Sequence, residues 1–578
     1  MKLIRRCLRA KGWTITLVAA MSIVSSAEVF SQSDTIQTTV PHLKNVYAKD
    51  FYIGCLLSYR NIGFATDPAV AGQSPVITPN GGYLIKYHMN SMSPGNNMKP
   101  QYTVNTTSSA SAYNAAATQA QKDSINVHPI IQFNGDLIAQ LNWAQRQGFT
   151  FRGHTLVWHS QTPTQFFRTG YSSTGTYVSK DTMTMRMDFY IKEIFRLIHQ
   201  TWPGLLSACD VVNEAIDDGT GKVRTSGNEW YSTFHDSSYV MKAFQLARQY
   251  TTQYGETQIK LYYNDYNTDV ASKADGIVAL IAPIFQAGYL DGIGLQNHNS
   301  LTTPTAASFI ASYNKFNPIC TEMAVTEFDV KTNGVTNFPS ASILAQQANQ
   351  YGQLFKCFVE RSYKSGRGKI ISVSKDGLND QYTFVTNQSS SLWDTLNHCK
   401  PSFYAAVDVG INYNALDSLI VFADSLKQSH YTSASWALFN SALVSAKTAR
   451  TQNYSVTTSA DTALGNAVTN LKAAINGLVV TGVRTAGGEG PYQFSLSQNY
   501  PNPFNPTTRI DYSVQQPCDV TLKIFDLLGE EVATLSAAYH QPGNFSVTFD
   551  GSSLASGVYL YRLSAGNFVA MKKFILLK

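Results

Sequence analysis

Residues Cys209–Gly219 read CDVVNEAIDDG. An apolar run of strand length ends on Asn213 and Glu214, and a small residue and a polar turn follow. A carboxylate at the end of a buried strand costs desolvation unless a partner or a reaction uses it. The same pattern recurs on both sides of this stretch. Before it lie FYIGCLLSY from Phe51, YLIKYHMNS from Tyr83 and FTFRGHTLVWHS from Phe149. After it lie IKLYYNDYN from Ile259, DGIGLQNHN from Asp291, TEMAVTEFDV from Thr321 and GKIISVSKDG from Gly368. With ACDVVNEA from Ala208 these make eight strand-like runs. Helical periodicity fills the intervals, as in Asp136–Gln147 and Met187–Gln200. Eight strand-then-helix units predict an α/β fold, a (β/α)8 TIM barrel. A doubly wound sheet is the alternative, but no Gly-rich phosphate loop follows the first strand.

In such a barrel the C-terminal strand ends open on one face, so residues far apart in sequence converge. Six runs end in polar groups: His88 and Asn90, His154 and Trp158, Asn213 and Glu214, Asn264 and Asp265, Gln296 and His298, Glu327 and Asp329. Any one of these is ordinarily a solvated strand end. Six together predict a site.

The chain has 578 residues, too many for one ordinary domain. Its 44% hydrophobic content supplies large cores, and 32 Tyr and 7 Trp make stacking surfaces available. A net charge of +6 without a block of like charge gives no nucleic-acid footprint. The first 31 residues have a basic start and an apolar run from Trp13 to Val24, the pattern of a signal peptide. No second long apolar stretch follows, so no membrane span is expected in the mature protein. The seven cysteines are scattered with no CxxC pair, which gives no zinc site; most read as buried small residues.

The barrel reading covers residues 40–408. Over 411–480 the apolar residues Leu416, Leu419, Ile420 and Ala423, then Trp436, Phe439 and Leu443, then Leu464, Val468, Leu471 and Ile475 fall at helical spacing. They predict a small three-helix bundle whose stripes are core. A Gly-rich linker occupies 481–493, and short alternating strands with Pro, Asn and Gly punctuation over 494–578 predict a β-sandwich.

Glu214 and Glu327 end the fourth and seventh runs. Two carboxylates across a sugar-sized gap are what glycosidic hydrolysis requires: one protonates the leaving oxygen, the other attacks the anomeric carbon or activates water. Their roles need opposite environments, a raised pKa for the acid and a persistent charge for the nucleophile. Glu327 and Asp329 share a strand face, and His298 placed between them would bond both and keep Glu327 charged.

GHTLVWHSQTP, DVVNEA, LYYNDYN, DGIGLQNH and VTEFDV, in this order, resemble glycoside hydrolase family 10, whose typical members are retaining endo-1,4-β-xylanases on a (β/α)8 barrel. The resemblance implies that Glu214 is the general acid/base and Glu327 the nucleophile. It implies that Asn213 bonds the 2-hydroxyl of the sugar being cleaved, and that His298, oriented by Asp329, bonds the nucleophile. Asn96, Lys99, His154, Trp158, Gln161 and Gln296 are the implied substrate contacts. The two carboxyls of a retaining enzyme stand about 5–5.5 Å apart. No cofactor and no metal are needed. The substrate expected is xylan or a related β-1,4-linked plant polysaccharide.

Departures from the family pattern concern sugar contacts. Gly95 in SPGNNMKP stands where a Glu is usual, and Asp376 and Phe384 in SKDGLNDQYTF stand where two Trp are usual. They motivate two alternatives, a catalytically weakened surface glycan-binding protein and the same chemistry on another β-glycan. YTSASWALFNSAL (Tyr431–Leu443) resembles the FIVAR module. NYPNPFNPTT, VTLKIFDLLGEEV and GVYLYRL resemble the C-terminal sorting domain of type IX secretion cargo. That last resemblance implies the type IX machinery as a partner and a secreted or cell-surface location.

Overall fold

The structure, a computed structural model, describes residues 36–57, 81–332, 334, 339–362, 366–381, 383, 388–458, 461–479, 492–526, 530–552 and 554–577. The signal-peptide reading, Phe384 and most of the linker reading lie outside the described residues. By their contacts the described residues form two compact units: one up to Val407 with Val456–Thr462, the other Asp408–Ser455 with Ala463–Leu577.

The first unit is built on eight parallel strands: β1 Tyr52–Leu57, β2 Ser91–Pro94, β3 Thr150–Trp158, β4 Leu206–Asn213, β5 Lys260–Asp265, β6 Gly292–Leu295, β7 Glu322–Val330 and β8 Lys369–Asp376. Neighbours in sequence pair in space, and β8 returns to β1 with Tyr52 opposite Ser372, closing the sheet on itself. A two-residue extension, His298–Asn299, pairs with Asp329–Val330 beyond the end of β6. Strands such as β4 and β7 are buried almost throughout, as expected where helices cover the outside and side chains fill the inside. Ala208, Tyr262 and Ala324, from β4, β5 and β7, form a small apolar cluster of their own.

The helices start and stop on local chemistry. Asn134 caps Gly135–Gln147 by accepting from the Leu137 N–H at 2.8 Å, and Gly148 ends that helix at φ +68°. Ser179 caps Lys180–Thr201, whose buried stripe runs Met187, Ile191, Ile194 and Ile198. One element differs from the sequence reading. The run from Tyr83 is a helix, Gly81–His88, and the second strand is the four-residue stretch after it. His88 and Asn90 therefore leave the site. His88 is buried against Trp393 and Phe403, and Asn90 accepts the Ile53 N–H near the start of β1. After β2, a Ser/Thr/Ala-rich stretch carries two helices, Thr106–Ala115 and Gln119–Val127.

The second unit contains helices Asn414–Ser425, Ser433–Thr451 and Ala463–Asn476. Leu416, Leu419, Ile420, Ala423, Phe439, Leu443, Leu464, Val468, Leu471 and Ile475 are buried in it, and Trp436 is half-buried. It also contains two antiparallel sheets, one of three strands and one of four, over a core that includes Ile510, Val520, Leu522, Tyr561 and Phe574. Six cysteines are described; all have free thiols, and five are buried.

Candidate active site

β4 and β7 deliver the two glutamates to one end of the barrel. Glu214 follows β4 with a left-handed backbone, φ +54°, and its N–H donates to the Asn264 carbonyl at 2.9 Å. Its carboxylate accepts three hydrogen bonds: from Trp158 Nε1 at 2.9 Å, Gln296 Nε2 at 2.9 Å and Asn213 Nδ2 at 3.2 Å. Glu327 accepts from Asn264 Nδ2 at 3.2 Å and from His298 Nε2 at 3.3 Å, and His154 Nε2 lies 4.0 Å away. The Asn213 side-chain oxygen, Oδ1, accepts from both Asn264 Nδ2 and Gln296 Nε2, at 3.0 and 3.2 Å. A chain of amides thus runs between the two carboxylates. Asn264 Nδ2 reaches both Asn213 and Glu327, and Gly294 leaves it room: a Cβ there would lie 2.2 Å from Asn264 Oδ1.

The environments of the pair are built from charge. Burial alone would raise the Glu327 carboxyl, but the hydrogen bond from His298 and the fields of His154, His298 and Lys99 outweigh it and hold the group at about 2. Desolvation pulls the His298 imidazole down, yet its hydrogen bonds to Asp329 and Glu327 and their charges lift it well above its ordinary value. The charged imidazolium is the form these two carboxylates favour. It donates from Nδ1 to Asp329 at 3.2 Å and from Nε2 to Glu327 at 3.3 Å. This is the bridging arrangement expected from the period-2 placement of Glu327 and Asp329.

The remaining expected residues also converge. Lys99 Nζ donates to Asn96 at 2.8 Å and to Gln161 at 2.9 Å, and lies 4.5 Å from the centre of the Trp158 ring. Burial lowers its ammonium, opposed by the charges of Glu327, Glu214 and Asp376. His154 is held from behind: Asp210 accepts from its Nδ1 at 2.9 Å and from Arg152 Nε at 3.1 Å. Arg152 in turn stacks on Tyr262 at 4.1 Å. Asp376 is buried at the end of β8. Burial and the Asp329 charge push its carboxyl up to about 7, with Glu327 adding to the rise and His298 and Lys375 opposing it.

Ligand atoms of His298, Asp329 and Asp376 lie within 4.8 Å of one another, the spacing of a metal site. In the arrangement seen here the two ring nitrogens of His298 face Glu327 and Asp329, at 3.3 and 3.2 Å, and join the carboxylates as a hydrogen-bonded bridge. The sequence reading missed Asp210 and did not place Asn264 among the site residues. The alternation Asp210, Val212, Glu214 in β4 and the polar end of LYYND were the available signals.

Residues 43–409 match glycosyl hydrolase family 10. The chain belongs to that family. The endo-1,4-β-xylanase Y of Acetivibrio thermocellus is 30% identical over 396 residues, covering 66% of this chain and 33% of the relative. The bifunctional endo-1,4-β-xylanase of Ruminococcus flavefaciens is 31% identical over 365 residues, covering 62% and 33%. The chain thus spans a third of the length of these two relatives. Among solved structures, the N-terminal endo-1,4-β-D-xylanase of Clostridium thermocellum, complexed with xylohexaose, superposes with a TM-score of 0.54 at 28% identity, covering 66% of this chain and 69% of that one. An intracellular xylanase of Thermoanaerobacterium saccharolyticum in complex with xylotriose gives 0.52 at 25%, covering 64% and 100%. Residues 498–577 match the secretion system C-terminal sorting domain, so this family 10 protein carries an export address and is secreted or displayed at the cell surface. Among the described residues no helix is long and apolar enough to cross a membrane.

Proposed function

We propose that the protein is a retaining endo-1,4-β-xylanase acting outside the cell. The observation that carries this is the asymmetry of the glutamate pair: Glu327 is held ionised by an imidazolium, while Glu214 takes its hydrogen bonds from an indole and two amides. Glu214 donates its proton to the glycosidic oxygen as Glu327 attacks the anomeric carbon and forms a glycosyl ester. Glu214 then removes a proton from water, which attacks the same carbon and frees Glu327. His298 keeps Glu327 charged before attack and supports it as a leaving group afterwards; Asp329 holds the imidazole. Asn213 bonds the 2-hydroxyl at the cleavage point. Asn96, Lys99, His154, Trp158, Gln161 and Gln296 line the sugar path. The family membership and the xylanases among its relatives support xylan as the substrate.

The test is a panel of xylans, mixed-linkage glucan and cellulose read by new reducing ends. The expected result is release of short oligosaccharides from xylan. Glu327→Ala abolishes it, and Glu214→Ala lowers kcat on xylan by about 10²–10⁴-fold, the usual yield of general acid–base catalysis. Wild-type rates in Glu327→Ala overturn the nucleophile assignment. A second reading, a glycan-binding protein of weakened activity, draws on buried Asp376 where the family resemblance places an aromatic platform. Retention of xylan by the intact protein without hydrolysis would favour it.

A further inference from the structure

The loop that carries Glu214 is held by side chains that never touch its carboxyl. Glu214 has φ +54°, a conformation that L residues rarely adopt and that persists only where the surroundings impose it. Two consecutive N–H groups pin it. The Glu214 N–H donates to the Asn264 carbonyl, and the Ala215 N–H donates to the Tyr263 hydroxyl oxygen at 3.0 Å. Tyr263 in turn donates its single proton to Asp265 Oδ2 at 2.5 Å. Asp265 Oδ1 accepts from the Tyr266 N–H at 2.9 Å and lies 2.8 Å from Lys273 Nζ. Lys273 sits on helix Ala271–Gln286, lies 3.6 Å from the centre of the Tyr266 ring, and also pairs with Asp218 of the Glu214 loop. Tyr263, Asp265 and Lys273 are all fully buried.

The contacts give this chain its polarity. Burial pushes the Asp265 carboxyl up to about 7, against Lys273 and the Tyr263 hydrogen bond; in its ionised form it takes the Tyr263 proton, and lone pairs face the Ala215 N–H. The other oxygen of Asp265 already takes two donors. An amide at 265 would set a donor against donors on one side or the other. A buried lysine–aspartate pair is also poor value as a stabilising device, because its desolvation cost consumes most of the attraction. It is well suited to holding one geometry.

We propose that Tyr263, Asp265 and Lys273 are positioning residues for the acid/base, a relay from helix Ala271–Gln286 to the Ala215 backbone that fixes the direction of the Glu214 carboxyl. The inference rests on Glu214 being the proton donor. It predicts a defect confined to steps that need that proton. The test compares full-length wild type, Tyr263→Phe and Glu214→Ala on xylan and on an aryl β-xylobioside with a nitrophenolate leaving group, which departs without protonation. Tyr263→Phe should lower kcat on xylan tenfold or more with KM unchanged. The first-turnover release of nitrophenolate should stay within twofold of wild type. Azide, a nucleophile that needs no base, should restore steady-state turnover of the aryl substrate. Equal losses on both substrates, or no loss on xylan, overturn the relay. Glu214→Ala must show the same split; if it does not, the assignment of Glu214 fails and not the relay geometry. Should Tyr263→Phe not fold, Asp265→Asn reads the same relay by the same split.

Discussion

His298 shows how one side chain can set the working range of another. Glu327 is needed ionised, and its carboxyl is held at about 2. Activity limited by this group is present above that value and is lost only as pH falls through it. In His298→Ala the hydrogen bond and the positive charge go while the burial stays, so the carboxyl rises. The acid limb of kcat/KM should move up by a unit or more, measured on a soluble xylan between pH 3 and 7. Asp376 carries the opposite sign. Its carboxyl is raised by burial and by Asp329 to about 7, so the folded state binds its proton more tightly than the unfolded state does. Stability is therefore highest below the ordinary aspartate range and falls as pH rises towards 7. Asp376→Asn removes that loss: the melting temperature should rise by several degrees at pH 8 and hardly change at pH 4. Asp376 was visible in the sequence as a departure, but its protonation was not, because that depends on Asp329 and His298 arriving from other strands.

At the scale of elements, the hairpin that follows Glu214 packs on helix Ala271–Gln286 through two glycines. A Cβ on Gly276 would lie 2.0 Å from the Gly221 carbonyl oxygen. Gly to Ala inside a helix ordinarily stabilises by about 1 kcal/mol. Here the clash opposes that gain, and overpacking of this kind costs about 1–3 kcal/mol. Gly276→Ala should lower the melting temperature and, by pushing the hairpin outward, lower kcat on xylan as well. An increase in both would show that the contact yields freely. The same scale explains the misread second strand. Tyr83–His88 is apolar and aromatic enough for a strand, yet it forms a helix with Leu84, Ile85 and His88 turned to the core. The true strand, SMSP, has little strand propensity and only four residues. Its pairing comes from lying between β1 and β3, a tertiary cause no local pattern contains. The other seven strands were legible because each lies in an apolar or β-branched run, five of them with the polar end residues that predict a site.

For the whole molecule, the barrel, the three helices and the C-terminal sheets all follow from periodicity and punctuation. The two glutamates and the His298 bridge could be named from strand ends, and the Lys99 cluster only from the family resemblance. The Lys273 relay could not, because what binds it together is burial. The six described thiols lead to a practical consequence. Among the described residues there is no cross-link, so the fold of this exported protein rests on packing and not on oxidation. Its melting temperature should be the same with and without dithiothreitol. The catalytic chain should accordingly mature in the reducing cytoplasm of an expression host without an oxidising compartment or an isomerase, which makes the source of the protein a free choice for every measurement on it.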